Sequence, residues 1–149
     1  MPSPRIETRA VAPPPVLRMV ETALYFDDLP GAAAFYRETL GLRVMSTGAR
    51  LVSMDAGGGT VLLLFHRGET AKGLSWSDGW IPPHDGSGPL HVALGVDLDQ
   101  LDAWERWLVS RGVAIESRVS WDRGGRSLYF RDPAGHSVEL VSPGTWPNY

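Results

Sequence analysis

Residues 91–112 read HVALGVDLDQLDAWERWLVSRG, and the spacing of apolar residues changes halfway through. "HVALGVD" (91–97) alternates as a half-buried strand does, with a histidine at its head. From Asp97 the spacing becomes helical: Leu101, Trp104 and Leu108 fall on one face, and Gly112 supplies a stop. The same order occurs about seventy positions earlier. "VETALYFD" (20–27) predicts a strand and "DLPGAAAFYRETLG" (28–41) a helix. In that helix Asp28 is the N-cap, Pro30 lies in the first turn, and Gly41 is the stop. Leu29, Ala33, Tyr36 and Leu40 form its apolar stripe. Leu24 aligns with Leu94 at an offset of 70, and Gly41 with Gly112 at 71.

Three strand-like runs follow each helix. After the first come 42–46, 49–55 and 60–66, with a "GGG" turn at 57–59. After the second come 113–121, 125–132 and 137–142, parted by Gly124-Gly125 and by "DPAGH" (132–136). The chain is βαβββ written twice, over about 18–66 and 90–142. The predicted class is α+β: duplicated βαβββ units forming a curved, partly closed mixed sheet around a cleft, in one domain spanning 16–149. Between the units lies "RGETAKGLSWSDGWIPPHDGSGP" (67–89), rich in Gly and Pro and carrying Trp76 and Trp80. A loop of that length is either functional or a simple linker between repeats. Residues 1–15, with Pro2, Pro4 and Pro13 to Pro15, read as a flexible or extended arm.

Composition excludes several function classes. A net charge of −3 without clustered base argues against a nucleic-acid footprint. The absence of cysteine removes disulfides, zinc–thiolate sites and thiol nucleophiles, and fits a reducing compartment. The start of the chain has no apolar signal core, and no run approaches the roughly 20 residues of a membrane span. A cytoplasmic protein with no nucleic-acid or membrane partner is expected.

The 70-residue offset places Glu21 on His91, so two residues able to bind metal begin equivalent strands. Glu139 sits mid-strand in the apolar "SVELV", where a carboxylate needs a partner or a metal unless it faces water. If the two units build one curved sheet, the three converge on its concave face. One imidazole and two carboxylates suit a divalent ion such as Mn, Ni, Fe(II), Mg or Zn, with positions open for a bidentate substrate. Tyr129, on the neighbouring strand, is placed to meet Glu139 across the "DPAGH" turn, as a substrate hydrogen-bond donor or a core tyrosine. Trp80 and His84 are lid candidates on the long loop. Arg123 and Arg126 are placed either to meet an anionic substrate or to face water on a hairpin.

The stretches "ETALYFDDLPGAAAFYRETLGLRV", "IPPHDGSGPLHVALGVDLDQLDAW" and "GGRSLYFRDPAGHSVELVSPGTW" resemble the vicinal oxygen chelate superfamily over about residues 18–146. That superfamily includes glyoxalase I, methylmalonyl-CoA epimerase, extradiol dioxygenases, fosfomycin-resistance transferases and bleomycin-binding proteins. The resemblance implies metal ligands at Glu21, His91 and Glu139, with Glu21 or Glu139 alternating between ligand and general base. It implies a metal-dependent lyase, isomerase or oxygenase chelating vicinal oxygens of a small molecule, in a homodimer. Its metal-free members imply the alternative of a bleomycin-resistance-type protein that sequesters a drug or hydrophobic metabolite. Glyoxalases and epimerases also use a ligand in the last strand of the first unit. Here "TVLLLF" offers Leu63, which cannot bind metal, and His66 is expected on the opposite face.

Overall fold

The computed structural model describes residues 12–149; most of the proline-rich arm (1–15) lies outside the described residues. The first repeat comprises β1 (Glu21–Phe26), α1 (Leu29–Glu38), β2 (Arg43–Thr47), β3 (Leu51–Asp55) and β4 (Val61–His66). Asp28 Oδ1 accepts from the Gly31 amide at 3.0 Å, satisfying one of the free N–H groups of the first turn of α1. Beyond the helix Gly41 takes φ +72°, a left-handed conformation that glycine adopts without Cβ strain.

Between the repeats the chain forms a short hairpin, β5 (Leu74–Trp76) and β6 (Gly79–Ile81), within the segment predicted as loop. Three-residue strands leave too little alternation to be read from sequence. The second repeat comprises β7 (His91–Gly95), a 3₁₀ turn (Leu98–Gln100), α2 (Leu101–Ser110), β8 (Ile115–Ser120), β9 (Arg126–Arg131) and β10 (Ser137–Val141).

Strand order repeats as the elements do: β1-β4-β3-β2 in one sheet and β7-β10-β9-β8 in the other. In each, the first and last strands of the repeat pair in parallel, and the other neighbours are antiparallel. The fold is α+β with mixed sheets, as the duplicated pattern predicts. The sheets are separate, however, and not closed into one. Among the described residues β1 and β7 each keep one strand neighbour and stand at a sheet edge.

Alternation gives each sheet one apolar face. Leu24, Phe26, Leu62 and Leu64 on the first, with Leu128, Phe130, Val138 and Leu140 on the second, join one core with Tyr36 and Leu108 from the helices. Polar groups stitch the halves together inside it. The buried Tyr36 hydroxyl donates to Asp132 Oδ2 at 2.9 Å. His136, 1% exposed, accepts from the Leu90 amide on Nδ1 at 2.9 Å and sits 3.0 Å from the Tyr25 carbonyl through Nε2. An acceptor on one ring nitrogen and a donor on the other define one neutral tautomer, fully satisfied. The Trp107 indole N–H donates to the Thr39 carbonyl at 2.7 Å, tying α2 to the end of α1. Among the described residues no helix is long and apolar enough to cross a membrane.

Candidate metal centre and cleft

Residues whose side chains point away from the core make up the other face of each sheet. On the second sheet this face carries Glu139, in register with Ala93 of β7 and Tyr129 of β9. Glu139 is 6% exposed, an unusual setting for a carboxylate. The Tyr129 hydroxyl donates to its Oε1 at 2.9 Å, and His91 Nε2 lies 3.4 Å from its Oε2. Burial, then the bond to Glu139, push the Tyr129 phenol above its ordinary pKa, so it stays a donor.

His91 is the exposed lip of this site, its side chain 53% accessible, with its ring stacked on Tyr129 at 6.4 Å between centroids. Its Nδ1 lies 3.0 Å from the Ser137 carbonyl. A carbonyl only accepts, so Nδ1 carries the proton, and neutral imidazole then presents the bare lone pair of Nε2 toward a carboxylate oxygen. Two electron-rich atoms facing one another call for a cation between them or a second proton on the ring. Their separation fits a metal. With bonds of about 2.1 Å, adjacent ligand atoms stand about 3.0 Å apart in octahedral and about 3.4 Å in tetrahedral geometry. The backbone carbonyl fixing the far ring nitrogen is the usual outer support of a metal-bound histidine.

Glu21 stands elsewhere. It is exposed at the start of β1 and lines a cavity of about 520 Å³ on the first sheet, with Tyr25, Leu63 and Phe65 among its walls. His91, Glu139 and Tyr129 do not line that cavity. Among the described residues no group of three His, Cys, Asp or Glu side chains could hold a metal ion within the chain. One chain therefore brings together His91, Glu139 and Tyr129 and leaves Glu21 apart, because the sheets that carry them do not join. Leu63 faces the cleft beside Glu21, in the place the resemblance gives to a fourth ligand. His66 lines a groove against α1 on the opposite face, with Pro30 and Ala33.

The loop candidates separate. His84 lines the cleft of the first sheet, its Nδ1 2.6 Å from the Tyr25 hydroxyl and its ring edge-on to Phe65 at 4.9 Å. Burial, then the charge of Asp85, raise the Tyr25 phenol. Trp80 lies on β6, 60% exposed, while its hairpin neighbours Leu74 and Ile81 line the cleft. Arg123 is exposed in the turn before β9, at the end of the sheet away from His91. Arg126 shares the face of Leu128 and Phe130, and its Nη2 pairs with Asp102 of α2 at 3.0 Å. Strand alternation turns it from Glu139's face. Sequence reasoning passed over Arg50, which also lines the cleft of the first sheet. Within the run read as a strand at 49–55, an arginine next to its first residue passes as an ordinary solvent-facing side chain.

The glyoxalase/bleomycin resistance protein/dioxygenase superfamily model matches residues 18–140. The crystal structure of lactoylglutathione lyase from Agrobacterium tumefaciens is similar at 34% identity and a TM-score of 0.81, over 90% of this chain and 99% of that one. A glyoxalase/dioxygenase from Nostoc punctiforme is similar at 25% identity and a TM-score of 0.65, over 90% and 96%. Metallothiol transferase FosB of Staphylococcus saprophyticus is 37% identical over 51 residues, 34% of each chain, so the match spans about a third of that curated relative. Two βαβββ repeats, a His–Glu pair on the second, and a match across most of the sequence agree: the chain belongs to the glyoxalase/bleomycin resistance protein/dioxygenase superfamily.

Proposed function

We propose that the protein is a metal-dependent enzyme acting on a small molecule through two vicinal oxygens, with His91 and Glu139 as metal ligands and Glu21 of a second copy completing the set. The observation that carries this reading is the Nε2–Oε2 approach of 3.4 Å, with Nδ1 committed to a carbonyl and Oε1 to a phenol. Both remaining atoms are left free for one cation. Because Glu21 stands on a different sheet, the third ligand comes from a homodimer in which the first sheet of one copy faces the second sheet of the other. The unshared edges of β1 and β7, and exposed Met19 and Val20 beside β1, favour such pairing.

When bound, a divalent ion such as Mn, Ni, Fe(II), Mg or Zn supplies Lewis acidity to the chelated oxygens and stabilises charge developing there. The chain's own residues do the rest. Tyr129 holds Glu139 by one oxygen and so aims the other. His91 is fixed by the Ser137 carbonyl. Glu21, whose carboxylate makes no hydrogen bond or ion pair among the described residues, lines the cleft and is the group free to take and return a proton at the substrate carbon. His84 and the β5–β6 hairpin cover the apolar cleft and limit water.

The name of the Agrobacterium relative makes lactoylglutathione the first substrate to assay, and that of FosB makes thiol transfer the second. Catechol cleavage under oxygen tests the dioxygenase branch. Elemental analysis of protein purified without chelators tests the metal directly. About one equivalent per chain is expected, lost in His91→Ala and Glu139→Ala. Less than a tenth of an equivalent, with no gain on adding Mn, Ni, Fe or Zn, rejects the reading. The aromatic-lined cleft of about 520 Å³ supports the alternative, a metal-free binding protein for a drug or hydrophobic metabolite, and the same metal result separates the two.

A further inference from the structure

We infer that the cleft of the first sheet takes a substrate with an apolar body and an anionic head, and that Arg50 binds the head. This deepens the proposed function and rests on this cleft being the substrate's. The walls are apolar: Tyr25, Leu51, Leu63, Phe65, Leu74 and Ile81. Arg50 enters among them from the turn ahead of β3. It is half-buried, and its Nε is sealed from solvent with no hydrogen-bond partner.

Other arginines of the chain pair with carboxylates: Arg43 with Asp55, Arg67 with Asp27, Arg118 with Glu105, Arg131 with Glu116. No such pair forms with Arg50 among the described residues. A half-buried guanidinium without a counter-ion, lining an otherwise largely apolar cleft, is held where an anion can supply one. Its two Nη groups, which are not sealed, form an end-on fork that matches both oxygens of a carboxylate.

Register gives the cleft two ends. Glu21 pairs with Val61, while Tyr25 pairs with Phe65 and Phe65 with Leu51. The Arg50 carbonyl accepts from the His66 amide, one rung further on, at the level of Phe26. Five strand residues separate that rung from Glu21, about 16 Å along the sheet at backbone level. Arg50 and Glu21 therefore mark opposite ends of one apolar trough. A molecule using both is elongated, with its reacting oxygens at the Glu21 end and its anion at the Arg50 end.

Isothermal titration of the full chain in chelator at pH 7.5, with 4-phenylbutyrate and with the uncharged 4-phenylbutanol, tests Arg50 apart from any metal. The acid is expected to bind wild-type protein about tenfold tighter than the alcohol, the worth of one charged hydrogen-bonded contact. Arg50→Gln removes the preference by weakening binding of the acid; Arg50→Lys keeps part of it. Circular dichroism reports whether Arg50→Gln is folded. If it is not, Arg50→Lys decides, with a severalfold reduced preference expected and an undiminished one overturning the proposal. Equal binding of acid and alcohol by wild type, no saturable binding of either, or a folded Arg50→Gln that still prefers the acid also overturns it. A protein that holds no metal yet shows the preference rejects the metal reading and upholds Arg50; the opposite pair of results does the reverse.

Discussion

At Tyr36 the hydroxyl donates to Asp132 Oδ2 in a setting almost without solvent, and burial, then the charge of Asp132, hold the phenol protonated far above its ordinary pKa near 10. The consequence for stability has a definite sign. The unfolded chain releases this proton above about pH 10 while the folded chain keeps it. The contribution is therefore intact below pH 10 and is lost progressively above it. Tyr25 and Tyr129, also raised, add the same sign. Urea unfolding at pH 8, 10 and 11 checks this: stability is expected to be lower at 11 than at 8. Tyr36→Phe is expected to cost about 1–3 kcal/mol at pH 8, through the Asp132 oxygen left without its donor, and to weaken the pH dependence. Asp132 and His136 both lie in "DPAGH", which reads locally as a turn. Their burial comes from partners 96 and 111 residues away, a separation that no local pattern encodes. Glu139 was legible because a carboxylate amid "SVELV" conflicts with its own strand. Arg50 was not, since an arginine near the start of the run read as a strand at 49–55 conflicts with nothing nearby.

Among the elements, the β5–β6 hairpin is held to the body at few points. His84 meets Tyr25, and its carbonyl accepts from the Thr70 hydroxyl. Leu74 and Ile81 provide the hairpin's cleft-facing surface. His84→Ala is expected to accelerate amide exchange over residues 74–81 by about tenfold or more, with little change in global melting temperature, since local opening draws on few contacts. Hydrogen-exchange mass spectrometry measures the segment and a thermal melt the whole chain; equal protection in mutant and wild type would show the hairpin anchored elsewhere. Helices and long strands were readable because a cap, a glycine stop and strict periodicity agree at each. Asp28 and Gly41 bound α1 as their chemistry demands. The hairpin was hidden because strands of three residues in a Gly/Pro-rich segment carry no period to detect.

For the molecule as a whole, duplication predicted the repeated strand order but not how the repeats meet. The halves join through their apolar faces and through Tyr36, His136 and Trp107, so the faces carrying Glu21 and Glu139 do not share a sheet. A metal site using all three proposed ligands then needs two copies. Sedimentation equilibrium is expected to give twice the 16.3 kDa chain mass at micromolar concentration. A monomer across that range contradicts sharing of Glu21. The cation itself is best seen in crystals grown with Mn²⁺ or Co²⁺. Anomalous scattering is predicted to place a peak within about 2.5 Å of both His91 Nε2 and Glu139 Oε2. Crystals soaked in millimolar metal that show no peak at this pair, with His91 still facing Glu139, would contradict the metal-dependent reading.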